Sequence, residues 1–411
     1  MLSVVICRAW THDGAHDGAH DGAHDGAHDG AHGGAHGGAH GGAHGGAHGG
    51  AHDGAHGGAH GGAHGGAHDG APGSGGSRGG GPVTTIAVRL RPRAAARLVE
   101  GQEIALLVVI AGLWLALGFA TDTFFTGTNL RAILFNVAPI ALIGIGMTAV
   151  IVTAGIDVSV GSAVAVVMVV VAKLIRDVGI PAPAAVGVAV ALGAVLGLVN
   201  GGLVAFGRIH PIIVTFATLN IFRFVALRIF DNRQVTGVPD TLAFAGGGAA
   251  GRLTGLPNAW LAAAVLAAAM WWYMRSWPTG RHLYAIGGDA WAARLAGVRV
   301  RRRQLFAYVL TGALVGLAGC VLIGSGGLVS QNAGEGLELQ VIAAVVIGGT
   351  SIVGGRGTVL GTMLGALLVG TVTSAVTLLG WRSELTTLFV GIFILVAVGV
   401  DLVRARRREP R

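Results

Sequence analysis

The chain has 411 residues, of which 52% are hydrophobic and 12% are charged, and its formal net charge at pH 7 is +8. Charged residues make up about 25% of an ordinary soluble protein, so this composition excludes a large soluble domain. The basic residues lie in short clusters between apolar runs, which argues against a nucleic-acid-binding protein and indicates a lipid bilayer as the partner. The composition is typical of an all-α, polytopic membrane protein.

A four-residue repeat fills most of the first 72 residues. Fifteen of the 17 histidines lie at every fourth position from His12 to His68. Each repeat unit, AHDG or AHGG, contains one or two Gly among its four residues, and each Gly disfavours a helix by about 1 kcal/mol. We therefore predict that residues 1–82, the repeat with its Gly-rich linker, are disordered and bind metal at most weakly and nonspecifically. Two interpretations of the repeat are open. It is either a passive extension of the protein, such as one that arises when the translation start is set too early, or a segment that buffers metal ions.

Ten apolar stretches form a predicted transmembrane domain at residues 104–403. A helix that crosses a bilayer needs about 20 apolar residues, with a range of about 17–25. The third and eighth stretches are short and lie beside Gly-rich breaks, so we expect broken or half-helices there. The predicted spans are 104–120, 131–153, 160–176, 184–206, 212–230, 258–274, 305–323, 338–352, 357–378 and 385–403.

Arginine fixes the expected orientation of these spans. Beyond Pro72 the chain has 27 basic and 13 acidic residues. Arginine is concentrated in the lead-in at 83–103, the loop at 275–304 and the tail at 404–411. The positive-inside rule places all three segments in the cytoplasm. Even numbers of predicted spans separate them, so we expect a multi-pass protein of the plasma membrane with both termini cytoplasmic.

The segment VTAGIDVSVGSAVAV, residues 152–166, interrupts the apolar pattern after the second predicted span. An ionised Asp at mid-membrane costs about 2.5–3.5 kcal/mol, so it must lie at an interface or face a polar cavity. Either the segment lines a translocation path or its gate, or it is a turn in which Asp157 caps the next helix. The candidate residues are Gly155, Asp157, Ser159, Gly161 and Ser162.

A second Gly-rich break, VVIGGTSIVGGRGTVLGTMLG, occupies residues 345–365 and contains Thr350. It has a similar place in the second half of the chain. Paired, interrupted apolar segments point to the central pathway of a transporter. The alternative is close helix packing through small residues such as Gly361 and Gly365.

The fifth predicted span carries three candidate pathway residues in an otherwise apolar helix: Thr215, Asn220 and Arg223. An Arg in a membrane helix usually faces the bundle interior or extends its side chain to the membrane surface. Arg223 lies midway along the span, so both a pathway role and a structural role are open.

Within the Arg-rich loop at 275–304, we predict one short helix. Asp289 can cap it and Gly297 can end it, while Trp291 and Leu295 share one face at a spacing of four residues. Such a short helix is not stable alone. Its apolar face, with Arg294 beside it, favours docking on a partner protein, and the alternative is an interfacial helix on acidic lipid.

Sequence motifs for catalysis are missing. Lys173 is the single lysine of the chain, so a phosphate-binding G-x-x-x-x-G-K-[ST] loop does not occur. The chain also has no H-E-x-x-H or C-x-x-C motif, and its G-x-S-x-G match at residues 75–79 lies in the Gly-rich linker, without the strand and helix that a nucleophilic serine needs on either side. We therefore expect a protein that is not an enzyme and that uses no cofactor of its own.

Several of these segments resemble one known family in the same order along the chain. The stretches GIDVSVGS, IHPIIVTFATLNIFR, YAIGGDAWAARLAGV and AAVVIGGTSIVGGRGTVLGTMLGALLVG are similar to the membrane permease subunits of ribose-type sugar importers of the ATP-binding cassette class. The resemblance runs from about residue 98 to 403. It assigns 155–162 to the family's Gly-Ile-Asp segment and 289–298 to its coupling loop.

The resemblance implies a permease for a monosaccharide that works as a dimer with a second copy or a paralogue. It also implies a cytoplasmic ATPase, which binds ATP and Mg, and an extracytoplasmic substrate-binding protein. Nucleosides, branched-chain amino acids or a sugar-like signal are alternative substrates. A different alternative is a proton-coupled secondary transporter that uses Asp157 as a relay. The coupling-type loop and the expectation of one buried acid favour the first hypothesis.

Overall fold

The computed structural model describes residues 101–231 and 233–406. The predictions for residues 1–82, for the lead-in up to residue 100 and for residues 407–411 lie outside the described residues. Residues 101–103, which the sequence assigned to the lead-in, form the first turn of the first helix.

Helices dominate the described chain. In its first half they are α1 (Gly101–Ala120), α2 (Gly127–Val152), α3 (Val160–Lys173), α4 (Ala182–Ala205), α5 (Pro211–Phe230) and α6 (Asn258–Ser276). In its second half they are α7 (Pro278–Gly288), α8 (Ala290–Leu295), α9 (Val300–Ile323), α10 (Leu337–Ile347), α11 (Val359–Leu378) and α12 (Glu384–Arg406). A π-helical turn, Leu174–Val178, extends α3, and a 3-10 turn, Asp240–Ala245, follows α5.

Within the described residues, six helices are long and apolar enough to cross a membrane: α1, α2, α4, α5, α9 and α11. The predicted class of a helical, multi-pass membrane protein is therefore confirmed. The helices at the third and eighth predicted spans, α3 and α10, are short. Helix α10 ends at Ile347, whereas the predicted span runs to residue 352, because Gly349 turns the chain with a φ of 96°. Helix α7 was not predicted; Pro278 starts it, in a position that suits the fixed φ of Pro.

Two short antiparallel ladders lie between the helices. Strand β1 (Val235–Thr236) pairs with β4 (Leu328–Val329), with Val235 opposite Val329. Strand β2 (Arg252–Leu253) pairs with β3 (Leu256–Pro257) in one hairpin. The β1–β4 ladder joins the loops after α5 and α9. The pairing therefore brings these two loops together at one end of the bundle.

Helix α2 is the centre of the bundle. All its residues from Val137 to Val152 are buried, as expected for a helix that is apolar on every side. Helices α4 and α9 pack at backbone distance, because a Cβ at Gly193 would overlap the carbonyl of Gly312 and a Cβ at Gly316 would overlap the carbonyl of Ala189. Small residues at such crossings are the usual way in which membrane helices associate.

Candidate functional site

The two Gly-rich breaks meet at one end of the bundle. The first break, residues 153–159, connects α2 to α3, and the second, residues 348–358, connects α10 to α11. The amide of Gly355 donates a hydrogen bond of 2.9 Å to the carbonyl of Val152. Helix α7 ends against this junction, so we name this part of the molecule the α7 end.

The last turn of α7 is wedged between the breaks. A Cβ at Gly287 would overlap both the carbonyl of Val152 and the amide nitrogen of Gly355. The hydroxyl of Tyr284 donates a hydrogen bond of 2.9 Å to the carbonyl of Gly357. Helix α7 therefore touches both breaks through groups that any shift of the helix would disturb.

Helix α8 follows α7 directly. The Asp289 Oδ1 accepts hydrogen bonds from the amides of Trp291, at 2.8 Å, and Ala292, at 3.0 Å. After the helix, Gly297 has a φ of 84°, a conformation that Gly adopts readily. Ala293 faces inward, whereas Trp291 and Leu295 are each 68% exposed, and Arg294 is exposed beside them. The short capped helix that the sequence indicates is present, with its apolar face uncovered.

The carboxylate of Asp157 is buried in the first break, with 3% of the residue exposed. Its Oδ1 accepts hydrogen bonds from the Ser159 hydroxyl at 2.7 Å and the Ser159 amide at 3.0 Å. The Asn200 Nδ2 lies 3.3 Å from both carboxylate oxygens and donates to the Ser159 hydroxyl at 2.7 Å. The expectation that Asp157 caps the next helix is wrong: Ser159 occupies the N-cap of α3, and Asp157 closes a local turn before it.

A polar cluster surrounds this turn. A cavity of about 10 Å³ borders Asp157 and Asn200, close to the least volume that holds one water molecule. The Tyr308 hydroxyl lies against Gly155, where a Cβ would come within 2.8 Å of it. Among the described residues, neither this hydroxyl nor Asn200 Oδ1 has a hydrogen-bond partner. Asn200 and Tyr308 were not predicted, because α4 and α9 bring them to the break from distant parts of the sequence.

The remaining candidates of the first break also lie close to it. Ser162 is buried in the first turn of α3. Thr215 of α5 is buried, and its one hydroxyl hydrogen is shared between the carbonyls of Ile156, at 3.2 Å, and Pro211, at 3.0 Å. Thr215 therefore fastens α5 to the break and presents no free hydroxyl to a solute.

The second break depends on Gly and on a residue from α1. Gly349 and Gly354 have positive φ angles of 96° and 95°, which L side chains rarely adopt. Thr350 is buried, and Gly357 packs on its side chain. The Thr358 hydroxyl donates a 2.6 Å hydrogen bond to Glu103.

The two helices beside the second break, α10 and α11, pack closely through small residues, as the alternative interpretation of this segment expected. A Cβ at Gly361 would overlap the carbonyl of Gly348, and a Cβ at Gly365 would overlap that of Ala344. Glycine therefore lets α10 and α11 pack at backbone distance beside the break.

A third polar site lies where α3 and α10 begin. The Arg223 Nη1 donates a 3.1 Å hydrogen bond to the carbonyl of Ala333, just before α10. A Cβ at Gly161 would overlap Glu338 Oε2, an atom that is buried and has no hydrogen-bond partner among the described residues. Arg223 is close enough to interact electrostatically with Glu338. Asn220, one turn before Arg223, is exposed and donates to the Phe216 carbonyl at 2.8 Å.

The expectation of one buried acid is wrong. Glu103 is 2% exposed, and Glu338 is partly buried. Both stand in the first turn of an apolar helix, where the sequence alone allows an exposed acid as readily as a buried one. Within the described part of the chain, no three His, Cys, Asp or Glu side chains are grouped so that they could hold a metal ion.

The described chain has apolar helices of membrane-spanning length, a short helix beside each polar break, and an uncovered helix at one end. These features define a multi-pass membrane transport protein. Residues 129–398 match the family described as branched-chain amino acid transport system / permease component, and the chain belongs to this family. The resemblance seen in the sequence motifs is thus confirmed. Permease components move a solute and are not enzymes.

Three similar proteins are named as sugar import permeases or as an ABC transporter permease. A ribose import permease of Escherichia coli (strain K12) is 38% identical over 300 residues, which cover 72% of this chain and 92% of that protein. A fructose import permease of Rhizobium meliloti is 34% identical over 68% of this chain and 79% of its own length. A probable ABC transporter permease of Sinorhizobium fredii (strain NBRC 101917 / NGR234) is 34% identical over 74% and 91%. No solved structure matches the chain.

Proposed function

We propose that the chain is the membrane subunit of an ATP-binding cassette importer and forms the path for a monosaccharide. The ribose and fructose permeases to which it is similar support a sugar, since ribose and fructose are both monosaccharides. The ABC transporter permease supports a partner ATPase, which would bind ATP and Mg on its own residues. A substrate-binding protein on the other side of the membrane would deliver the sugar.

The observation that carries this proposal is the position of α8. Its exposed face, Trp291 and Leu295, fits a pocket on the ATPase, because aromatic and aliphatic side chains that become buried provide most of the affinity of such contacts. Asp289 joins α8 rigidly to α7, and α7 ends between the two breaks. A displacement of α8 on ATPase closure would therefore reach both breaks together.

The orientation follows from the same end of the molecule. The α7 end, with the Arg-rich loop, lies in the cytoplasm, and the start of α1 and the end of α12 lie on that side. The loops joined by β1 and β4 lie outside. With α3 and α10 counted as half-helices and α6 and α12 as further spans, ten helices enter the membrane.

The path runs along the exposed face of α5. This face carries Asn220, and the half-buried Arg223 lies one turn further along the helix, next to Glu338. Polar and charged side chains in a membrane helix are too costly to face lipid, so they line a water-filled path or a protein partner. A second permease copy that faces α5 would enclose them. Sugar hydroxyls form hydrogen bonds with carboxylate, amide and guanidinium groups.

The role proposed for Asp157 is to hold the first break closed. Its hydrogen bonds come from Ser159 and Asn200, which are neutral and fix the turn against α4. A proton relay would need the carboxyl to exchange its proton with a chain of titratable groups. The secondary-transporter alternative is therefore the weaker one.

Uptake into proteoliposomes tests the proposal. The permease would be reconstituted with its ATPase and binding protein, and entry of labelled ribose, fructose and leucine would be followed with and without ATP. We expect ATP-dependent entry of a monosaccharide. ATP-dependent entry of leucine alone would favour the branched-chain amino acid alternative that the family description names. Uptake that needs no ATP and stops with an uncoupler would contradict the importer.

A further inference from the structure

A groove on the surface of the bundle, apart from the breaks, separates α6 from α11. Its volume is about 490 Å³, and every residue that lines it is Ala, Val, Leu, Met or Trp. Ala264 and Ala268 form part of its floor on α6, and Val359 and Leu367 mark its extent on α11. The groove is therefore an apolar channel between two helices at the surface of a membrane domain.

The groove has the depth of one membrane leaflet. It follows α6 from Trp260 to Trp271, which is about 16 Å at about 1.5 Å per residue. The hydrocarbon core of a bilayer is about 30 Å thick, so one leaflet contributes about 15 Å. On α11 the groove runs from Val359, the first residue of that helix, to Leu367, so it opens at the α7 end.

A cation stands at the open end of the groove. The guanidinium of Arg275 lies 5.3 Å from the centre of the Trp271 ring, and Arg275 is in the last turn of α6. Guanidinium groups match the geometry of phosphate oxygens. Trp272 and Trp277 are exposed at the same level, and aromatic side chains of this kind prefer the boundary between lipid tails and headgroups.

We propose that this groove is a specific site for one anionic phospholipid. One acyl chain lies in the groove between α6 and α11, and the phosphate is bound by Arg275. The length of the groove, close to that of one leaflet, its wholly apolar lining and the cation at its open end favour a lipid with an anionic headgroup over a segment of a second protein copy. A bound lipid would brace α11 next to the second break. The proposal does not depend on which solute the permease carries.

Native mass spectrometry of the purified, full-length permease tests this site. The permease would be incubated with 1-palmitoyl-2-oleoyl phosphatidylglycerol or with the matching phosphatidylcholine, and the retained lipid would be counted. We expect one retained phosphatidylglycerol and several-fold less phosphatidylcholine. Ala268→Phe should abolish retention, because Ala268 is exposed and lines the groove. Its control is Ala269→Phe, an exposed neighbour outside the groove lining, which should retain the lipid.

A separate variant tests the proposed contact between Arg275 and the lipid phosphate. Arg275→Gln should lower the preference for phosphatidylglycerol over phosphatidylcholine, while the acyl chain still binds. Equal retention by wild type, Ala268→Phe and Ala269→Phe would overturn the site. So would a disulfide-linked dimer formed at high yield through Ala268→Cys, because that result would place a second copy of the chain in the groove.

Discussion

The hydrogen bond from the Gly355 amide to the Val152 carbonyl, at 2.9 Å, ties the two broken segments of this permease to each other. These segments come from the two halves of the chain, and each connects a long or short apolar helix to the next. Because α7 is inserted at this bond, the helix that precedes α8 is in contact with both halves. The structure therefore connects the exposed face of α8, through α7, to both breaks of the bundle.

Substitutions in the exposed apolar face of α8 should weaken binding of the ATPase. Trp291→Ala or Leu295→Ala should lower copurification of the ATPase by about tenfold, which corresponds to about 1.4 kcal/mol of binding free energy. The melting temperature of the isolated permease should stay unchanged, because both side chains are 68% exposed. Pull-down of the ATPase from a coexpressing strain measures the effect. Leu253→Ala is the control, since Leu253 is 62% exposed on β2, and normal copurification of the α8 variants would refute docking there.

Substitution of Asp157 should impair transport and stability without reducing expression of the permease. In Asp157→Asn, an amide replaces one carboxylate oxygen and meets the donors of Ser159 and Asn200, so hydrogen bonds worth about 1.5–3 kcal/mol weaken. We expect normal membrane insertion, a lower melting temperature and severalfold slower ATP-dependent uptake. Asp122→Asn is the control, because Asp122 is exposed. Wild-type uptake and stability in Asp157→Asn would show that the carboxylate is dispensable.

The site where α3 and α10 begin predicts a transport role for Glu338. Glu338→Gln keeps the shape of the side chain but removes its attraction to Arg223, and we expect uptake to fall by about tenfold, or about 1.4 kcal/mol. The permease should still copurify with its ATPase, because Glu338 lies away from α8. Glu335→Gln is the matched control, since Glu335 is exposed in the preceding loop. Equal uptake by the two variants would remove Glu338 from the path.

The sequence predicts the parts of this protein that depend on local patterns. The apolar runs predict the long helices, and the Gly-rich stretches around Asp157 and Thr350 predict both breaks. Asp289, with Gly297 after it, predicts the limits of α8. These features depend on neighbours in the chain, such as a capping side chain or a residue with positive φ.

The partners of these residues could not be predicted in the same way. Asn200 reaches Asp157 from α4, Glu103 reaches Thr358 from α1, and Glu338 reaches Gly161 from α10. Each contact depends on how helices pack, which apolar helices without a clear polar face do not encode locally. Helix α7 was missed because its sequence, PTGRHLYAIGG, has three glycines, and Gly disfavours helices. The last of them, Gly287 and Gly288, stand where α7 meets the breaks.

The measurement that tests the link most directly is paired ATP hydrolysis and sugar uptake by the reconstituted Gly287→Ala importer. The added methyl group would overlap Val152 and Gly355, and such overpacking costs about 1–3 kcal/mol. Gly288→Ala is the matched control, because nothing lies within 4 Å of a Cβ there. We predict that Gly287→Ala retains its ATPase and hydrolyses ATP but takes up sugar at least tenfold more slowly, while Gly288→Ala behaves as wild type. Normal uptake by an intact Gly287→Ala importer would contradict a link through the end of α7.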